Sequence, residues 1–313
     1  MVQIIEDDAV AASHGKRSPG LPAWFRQELP DMDKIREMQR KFRSSGLHTV
    51  CESALCPNMG KCWGQGVATF MILGEICTRA CRFCAVKAGR PQGVNDGEPF
   101  EIAAAVQDLR LRYVVITSVA RDDLEDEGAG HFVRTIEAVR AVNPHIKIEV
   151  LIPDFSNKPE SLNKLVGVRP EVISHNIETV RRLAADVRPQ AGHDRSLAVL
   201  RNFKKLDPAI LTKSSFMMGL GETDEEVMEL MRELADTGCD ILAIGQYLAP
   251  TRLKRHVRAQ RFVPPETFGQ YKARGLELGF KHVMSAPLVR SSFIAEQGYR
   301  ECLEKIDALK TNH

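Results

Sequence analysis

The chain has 313 residues, 43% hydrophobic and 27% charged, and its 43 Lys and Arg against 41 Asp and Glu leave a formal net charge of +2. This is the composition of a globular protein, and the balanced charge favours neither nucleic acid nor a membrane surface as a partner. No apolar run reaches the roughly 18 to 20 residues of a membrane span, and no targeting pattern is recognisable, so we expect a cytoplasmic protein.

The chain divides by composition into four parts. Residues 1–30 are rich in acids, Gly, Ser and Pro, which predicts a flexible lead-in that Trp24 and Phe25 could dock on the main body. Residues 31–66 form an N-terminal extension with three cysteines, and residues 67–280 form the main domain. Residues 281–313 are predicted to be a separate C-terminal segment.

The N-terminal extension contains the stretch TVCESALCPNMGKCW. Its cysteines, Cys51, Cys56 and Cys62, have the spacing C-x4-C-x5-C. A small zinc loop is one interpretation, but a structural zinc site needs four ligands, and no fourth Cys or His follows at a suitable spacing. The identity of the metal is therefore open at this point.

A second triplet lies in ICTRACRFC, where Cys77, Cys81 and Cys84 have the spacing C-x3-C-x2-C. Thr78 and Arg79 make this loop too polar for a buried core, and zinc again lacks a fourth ligand. Cysteine thiolates are the usual ligands of iron-sulfur clusters. Three such ligands on a four-iron cluster would leave one iron open to a substrate or cofactor, so we prefer a cluster and keep zinc as the alternative.

From residue 68 onward, short apolar runs alternate with helical patterns. They predict an α/β fold with six parallel strands, each followed by a helix, in a partial (β/α)6 TIM-like barrel. The predicted strands are ATFMIL, YVVITS, IKIEVLIP, EVISHN, LTKSSFMMG and DILAIGQYL. Thr223 and Glu226 form a capping box that begins the clearest helix, and Gly238 is its stop signal. The active site is expected where the strands end.

The C-x3-C-x2-C loop after the first strand, with Phe83 before the third cysteine, resembles the radical S-adenosylmethionine (SAM) superfamily. The resemblance implies the partial barrel of that superfamily, with N- and C-terminal extensions. It also implies a 4Fe-4S cluster whose open iron binds SAM through its amino and carboxylate groups. Reduction of the bound SAM then yields a deoxyadenosyl radical.

Further pieces narrow the resemblance to the lipoyl synthase family. CESALCPN, ITSVARDDLEDEGA, SHNIETV, KSSFMMGLGET and APLVRSSF follow one another in family order. The family is a group of sulfurtransferases that insert two sulfur atoms at carbons 6 and 8 of a protein-bound N6-octanoyl-lysine. The resemblance implies that the sulfur comes from a sacrificial auxiliary 4Fe-4S cluster held by Cys51, Cys56, Cys62 and Ser292.

The resemblance also implies roles for residues outside the cysteine triplets. The predicted cofactor-binding residues are Phe83, Thr117, Ser118, Asn176, Glu178, Arg188, Gly219, Gly221 and Gln246. Arg290 is predicted to act with Ser292, either by ordering the serine loop or by binding a carbonyl. Phe293 and Ile294 depart from the Tyr and His that the family usually has there.

The implied partners are octanoylated lipoyl domains or the glycine-cleavage H protein, an electron donor such as ferredoxin or flavodoxin, and an iron-sulfur carrier for cluster repair. Residues 251–261 are basic with no acid, which fits either a solvated loop or a docking patch for an acidic lipoyl domain. Cys239 and Cys302 are expected to be buried thiols. Two alternatives stay open: another radical SAM enzyme that inserts sulfur, methylthiolates or relays electrons, and a non-catalytic iron-sulfur or zinc protein.

Overall fold

The computed structural model describes residues 21–26, 31–44, 46–64 and 69–311. Most of the predicted lead-in, residues 1–20 and 27–30, thus lies outside the described residues. In the described part of the lead-in, residues 21–26, a short 3-10 helix spans Ala23–Phe25. Phe25 is buried and packs edge-on against Phe262, with 5.6 Å between ring centroids. Phe25 is therefore the aromatic residue that docks this segment on the main body.

A parallel sheet forms the centre of the molecule. The strands are β1 Thr69–Ile72, β2 Ile76–Cys77, β3 Lys87–Ala88, β4 Tyr113–Ser118, β5 Lys147–Leu151, β6 Val172–Ser174, β7 Leu211–Met218, β8 Ile241–Gln246 and β9 His282–Ser285. Seven of them pair in the order β1-β4-β5-β6-β7-β8-β9, and every pairing is parallel. The small strands β2 and β3 pair separately beside the cysteine loop. The six predicted strands are all present, and β9 is a seventh that lies within the predicted C-terminal segment.

Helices connect and flank the strands. They are α1 Met32–Ser44, α2 Val50–Ser53, α3 Met59–Gly64, α4 Glu98–Asp108, α5 Ala129–Val142, α6 Pro159–Gly167, α7 Arg181–Val187, α8 His193–Leu206, α9 Asp224–Ala235, α10 Pro265–Glu277 and α11 Ala295–Thr311. Helix α9 has the predicted capping box between Thr223 and Glu226, and Gly238 follows it with a φ of 81°. Within the described ranges, no helix is long and apolar enough to cross a membrane.

The two faces of the sheet have different coverings. On β4, Val114 and Ile116 pack in the main core with residues of α5, as expected for a connecting helix. Tyr113 and Val115 point the other way and pack against Tyr299 of α11. Side chains alternate between faces along a strand, so α11 lies against the face opposite the connecting helices. Cys302 of α11 and Cys239 are both buried free thiols, as predicted.

A buried polar network links four strands on the face that α11 covers. Lys213 of β7 and Glu149 of β5 form an ion pair of 2.9 Å, and both side chains are almost fully buried. Tyr113 of β4 and Ser174 of β6 each donate a hydroxyl hydrogen bond to Glu149, at 2.7 and 2.9 Å. A buried charge is tolerated only when it is paired and hydrogen-bonded, and this network meets both conditions.

Candidate active site

The loop after β1 brings Cys77, Cys81 and Cys84 together. Cys77 lies in β2, which pairs with β3 beyond the loop, and this pairing closes the loop at its base. Burial and the neighbouring Cys84 raise the pKa of Cys81 to about 12. Burial, followed by electrostatic repulsion from Cys77, raises the pKa of Cys84 to about 11. The three thiols are thus close enough to influence one another.

The loop is anchored by polar contacts at its centre. Arg79 is buried and forms ion pairs with Asp122 at 2.6 Å and with Asp154 at 2.7 Å. The backbone N–H groups of Arg79 and Ala120 donate to Sγ of Cys77 at 3.4 and 3.3 Å. Such hydrogen bonds stabilise a thiolate and tune a cluster bound to it. The loop is therefore held in place by the ends of the neighbouring strands.

Asn176, Glu178 and Arg188, which the sequence predicts to contact the cofactor, lie beside this loop. Burial raises the pKa of Glu178, although the charge of Arg188 and a hydrogen bond from Asn176 lower it. The guanidinium of Arg188 donates to the carbonyl oxygens of Asn176 and Ile177 at 2.8 and 2.6 Å. Burial lowers the pKa of Arg188, and the nearby groups Glu178 and Cys81 partly offset this. The three side chains form one polar group next to the cysteines.

Two buried polar atoms near the strand ends lack a partner within the described part of the chain. They are the Ser118 hydroxyl oxygen, at the end of β4, and Oδ1 of Asn176, after β6. The neighbouring Thr117 hydroxyl instead donates to the carbonyl of Leu151 at 2.7 Å. Buried polar atoms are normally hydrogen-bonded, and a polar ligand would satisfy these two. Ser118 and Asn176 are thus better placed for a cofactor than Thr117.

Gly219 and Gln246 have structural contacts with each other. Gly219 has a φ of 93°, and a Cβ there would meet Nε2 of Gln246 at 2.1 Å. The amide of Gln246 donates to the carbonyls of Tyr247 and Arg261 and accepts from the N–H of Val263. The side-chain polar atoms of Gln246 are thus already hydrogen-bonded within the protein. Contact of Gly219 or Gln246 with a cofactor stays a prediction.

Phe83 and Gly221 complete the predicted set. Phe83 packs against an apolar cluster that includes Val187, Leu220 and Tyr247, and this contact secures the loop around the third cysteine. Gly221 has a φ of 107°, which favours glycine on backbone grounds alone. A cofactor role for these two residues also stays a prediction.

The N-terminal extension folds its own triplet into one place. Cys51 lies in α2, whose N-terminus is capped by Thr49, and Cys62 lies in α3. Burial and electrostatic repulsion from Cys56 raise the pKa of Cys51 to about 11. Burial and both other cysteines raise the pKa of Cys62 to about 12. These three thiols are therefore neighbours as well.

The C-terminal segment packs on this second triplet. Nδ2 of Asn58 donates to the carbonyl of Leu288 at 2.6 Å. Burial raises the pKa of Cys56, and the nearby charge of Arg290 partly offsets this rise. Nζ of Lys61 lies 5.4 Å from the centroid of the Phe293 ring. Residues before and after Ser292 therefore contact the cysteine loop.

Gly245 is a site residue that the sequence analysis missed. It lies on β8, where a Cβ would meet the carbonyl oxygen of Val289 at 2.0 Å and Nη1 of Arg290 at 3.3 Å. The N–H of Gln246 also donates to the carbonyl of Pro287 at 3.1 Å. The serine segment therefore runs directly against this strand. A glycine inside a predicted strand indicates a close backbone approach, and that signal was present in DILAIGQYL.

Each triplet fits a cluster of several irons. Among the described residues, no three His, Cys, Asp or Glu side chains converge where a single metal ion could be held. In a 4Fe-4S cluster each cysteine binds a different iron, so the thiols need to be neighbours without converging on one point. In each triplet, neighbouring thiols raise the pKa of at least one other thiol, so the three are near one another, and their sulfur donors suit such a cluster. The pKa values are raised for Cys51, Cys56, Cys62, Cys81 and Cys84, so metal binding to these thiols would release protons.

Comparisons with known proteins give the family. Residues 71–234 match the Radical SAM superfamily. A lipoyl synthase of Caldicellulosiruptor saccharolyticus is 50% identical over 276 residues, which cover 88% of this chain and 96% of the relative. A lipoyl synthase of Rubrobacter xylanophilus is 51% identical and one of Thermus thermophilus 49%, with 89% and 91% of this chain covered and 86% and 88% of the relatives.

The fold likeness extends to a solved structure. The chain matches Streptococcus suis SuiB bound to S-adenosylmethionine with a TM-score of 0.55 and 12% identity, over 82% of this chain and 62% of that one. At this identity the match supports the predicted fold class alone.

Proposed function

Because the chain belongs to the lipoyl synthase family of the radical SAM superfamily, we propose which of its residues carry out that family's reaction. The chain is a sulfur-inserting enzyme that uses SAM and 4Fe-4S clusters and acts on octanoylated lipoyl domains. The predictions of family, enzyme class and cofactors are thereby confirmed. The proposal concerns which residues bind the two clusters, which residues contact SAM, and which carrier and donor proteins act with the chain.

Cys77, Cys81 and Cys84 would hold the SAM-binding cluster. When bound, the cluster and SAM supply a radical that removes hydrogen from an unactivated carbon, which no side-chain base can do. The unpartnered oxygens of Ser118 and Asn176 support a role in binding the polar groups of SAM. Glu178 and Arg188 would orient the methionyl part, because a carboxylate and a guanidinium complement its amino and carboxylate groups.

Cys51, Cys56, Cys62 and Ser292 would hold the auxiliary cluster. The contacts of Asn58 with Leu288 and of Lys61 with Phe293 support the serine assignment, because they join its segment to the cysteines. A serine oxygen is a harder donor than a thiolate and is poorly matched to iron in a sulfide cluster, so it would release readily. Arg290 would offset the negative charge that Cys56 gains on losing its proton.

The same assignment leads to specific partner proteins. We propose the glycine-cleavage H protein as a second acyl carrier, ferredoxin or flavodoxin as electron donor, and an iron-sulfur carrier for cluster repair. All eight cysteines are free thiols, which suits the reducing cytoplasm. A cytoplasmic location is therefore part of the proposal.

The observation that carries the proposal is the packing of the C-terminal serine segment on the N-terminal cysteine triplet. The test is mass spectrometry of an octanoyl-lysyl peptide after anaerobic incubation with the iron- and sulfide-reconstituted chain, SAM and dithionite. We expect the peptide to gain two sulfurs while deoxyadenosine is released. An unchanged peptide despite deoxyadenosine release would contradict the assignment, and gain of a methylthio group would favour the methylthiolating alternative.

Cysteine variants separate the two triplets. Cys77→Ala should abolish deoxyadenosine formation, whereas Cys51→Ala should retain it and lose thiol formation. Cys302→Ala serves as the control, because this buried thiol lies in α11 and belongs to neither triplet. If Cys51→Ala still formed the lipoyl product, the assignment of the auxiliary cluster as the sulfur source would be wrong.

A further inference from the structure

Residues 251–261 lie directly on the loop that carries the first cysteine triplet. Nε2 of His256 contacts the carbonyl oxygen of Cys84 at 3.0 Å, and the N–H of Val257 donates to the carbonyl of Arg82 at 3.0 Å. A carbonyl oxygen only accepts, so His256 donates from Nε2, while its Nδ1 accepts from the Thr251 hydroxyl at 2.7 Å. A short path of bonds and hydrogen bonds thus connects Cys84 to this segment.

The outer side of the segment is positively charged. Arg252, Lys254, Arg255 and Arg258 are all exposed, and Nη2 of Arg255 donates to the carbonyl oxygen of Ala85, the residue after Cys84, at 3.4 Å. Leu253 lies among them with 58% of its surface exposed. An apolar centre with a charged rim is the usual anatomy of a protein docking surface. Arg261 is paired with Glu222 and Asp224, so its charge is offset. We therefore call the four exposed cations, Arg252, Lys254, Arg255 and Arg258, the basic surface.

We propose that this basic surface docks a small acidic one-electron carrier protein, which reduces the cluster held by Cys77, Cys81 and Cys84. The inference rests on the proposed function, which requires an electron for each SAM that is cleaved. One electron passes from the donor to the cluster. The donor is oxidised by one electron and the cluster is reduced by one, and no bond of the chain forms or breaks.

The position of the surface favours an electron donor over an acyl carrier. An electron donor has to approach the outside of the cluster loop, and the segment bonds to the backbone of residues 82–85. An octanoyl group must instead reach the space that serves both triplets. Among the described contacts of the second triplet, those to the C-terminal part of the chain come from Leu288, Arg290 and Phe293 and not from the basic surface.

The test reverses two charges that contact no cysteine. In Arg252→Glu/Lys254→Glu, the rate of deoxyadenosine formation driven by a reduced, acidic 2Fe-2S ferredoxin should fall at least about tenfold at low salt, because steering by complementary charge is lost. The rate driven by dithionite should not change, because a small reductant needs no docking. The ferredoxin-driven rate of the unchanged chain should fall as salt is added.

The matched control is Arg201→Glu/Lys205→Glu, an equal charge change on exposed residues of α8. This part of α8 lies near the amino ends of the strands, away from the cysteine loop, because a connecting helix runs back across a parallel sheet. The control should keep both rates. An Arg252→Glu/Lys254→Glu variant with the ferredoxin-driven rate of the unchanged chain would overturn the proposal.

Binding gives a second readout that does not depend on turnover. Calorimetry with oxidised ferredoxin should show weaker binding to the Arg252→Glu/Lys254→Glu chain than to the unchanged and control chains. If ferredoxin binding and reduction were unchanged while the KM for an octanoylated lipoyl domain rose, the surface would belong to the acyl carrier and the proposal would be wrong. Dithionite-driven cleavage by the unchanged chain tests the proposed function separately, and its absence would overturn both.

Discussion

Ser292 is the residue whose substitution separates a sacrificial cluster from an electron relay. Ser292→Cys would replace a hard, releasable oxygen with a thiolate, which is the better ligand for iron in a sulfide cluster. We expect the variant to keep its iron and its deoxyadenosine formation while losing most of its sulfur insertion. Iron analysis and mass spectrometry of the peptide product check this.

The adjacent Ser291→Cys is the control for Ser292→Cys, since it adds the same thiol one position earlier. It should retain sulfur insertion. Full activity of Ser292→Cys would contradict the need for a readily released serine ligand and would favour a relay.

Gly245 positions the serine segment. In Gly245→Ala, the new methyl group would overlap the Val289 carbonyl, since the Cβ position lies 2.0 Å from that oxygen. The segment must move, so we expect less iron bound at the second triplet and loss of thiol product, with dithionite-driven deoxyadenosine formation retained. Gly269→Ala in α10 is the control, because a Cβ there meets nothing within 4 Å. Equal iron content in both variants would contradict the role of Gly245.

The cysteines could be predicted from the sequence because their spacing alone restricts the chemistry. The neighbours that make them a site could not, because they come from distant parts of the chain. Residues 58 and 288 are 230 positions apart, and no local pattern predicts their hydrogen bond. Gln246 shows another limit: its place at a strand end predicts a cofactor contact, which stays a prediction, but no local pattern indicates that its side-chain amide is hydrogen-bonded to the backbone of Arg261 and Val263.

At the level of elements, the six predicted strands were predictable because each is a largely buried run, mostly apolar except in β7, and is followed by a helical pattern. Strand β9, His282–Ser285, was missed. It is four residues long and contains His and Ser, and its pairing with β8 rather than its composition defines it. Tertiary pairing of this kind overrides weak local propensity.

Asp154, after β5, connects this part of the sheet to the cysteine loop through Arg79. Although burial raises the pKa of Asp154, its bonds and charge interaction with Arg79 lower it to about 2 from the ordinary 3.8. The lowered pKa means that the charge stabilises the fold at neutral pH and that this contribution is lost as pH falls from about 4 through about 2. Asp154→Asn should therefore lower the free energy of unfolding at pH 7 by about 1.5 to 3 kcal/mol.

Urea unfolding of the metal-free Asp154→Asn chain at pH 7 and pH 3 measures this. The difference from the unchanged chain should shrink at the lower pH. Asp194→Asn is the control, because its exposed ion pair with Arg181 adds little to stability. Equal losses in the two variants would contradict the anchoring role of Asp154.

At the level of the whole molecule, the buried pair of Lys213 and Glu149 holds β4 to β7 together beneath α11. Lys213→Met leaves a buried carboxylate without its cation and should cost about 3 to 5 kcal/mol in the free energy of unfolding. Lys213→Met/Glu149→Gln removes both charges and should recover much of that loss. Urea unfolding checks both, and a double variant no more stable than Lys213→Met would contradict the pairing.

The contact between Asn58 and Leu288 also has a consequence for the order of events during synthesis. Its partners are 230 residues apart, and a ribosome adding about 5 to 20 residues per second would make the second roughly 10 to 50 seconds after the first. The loop of the first triplet and its neighbouring strands emerge well before that. The site formed by the two ends of the chain is therefore completed last, after translation of nearly the whole protein.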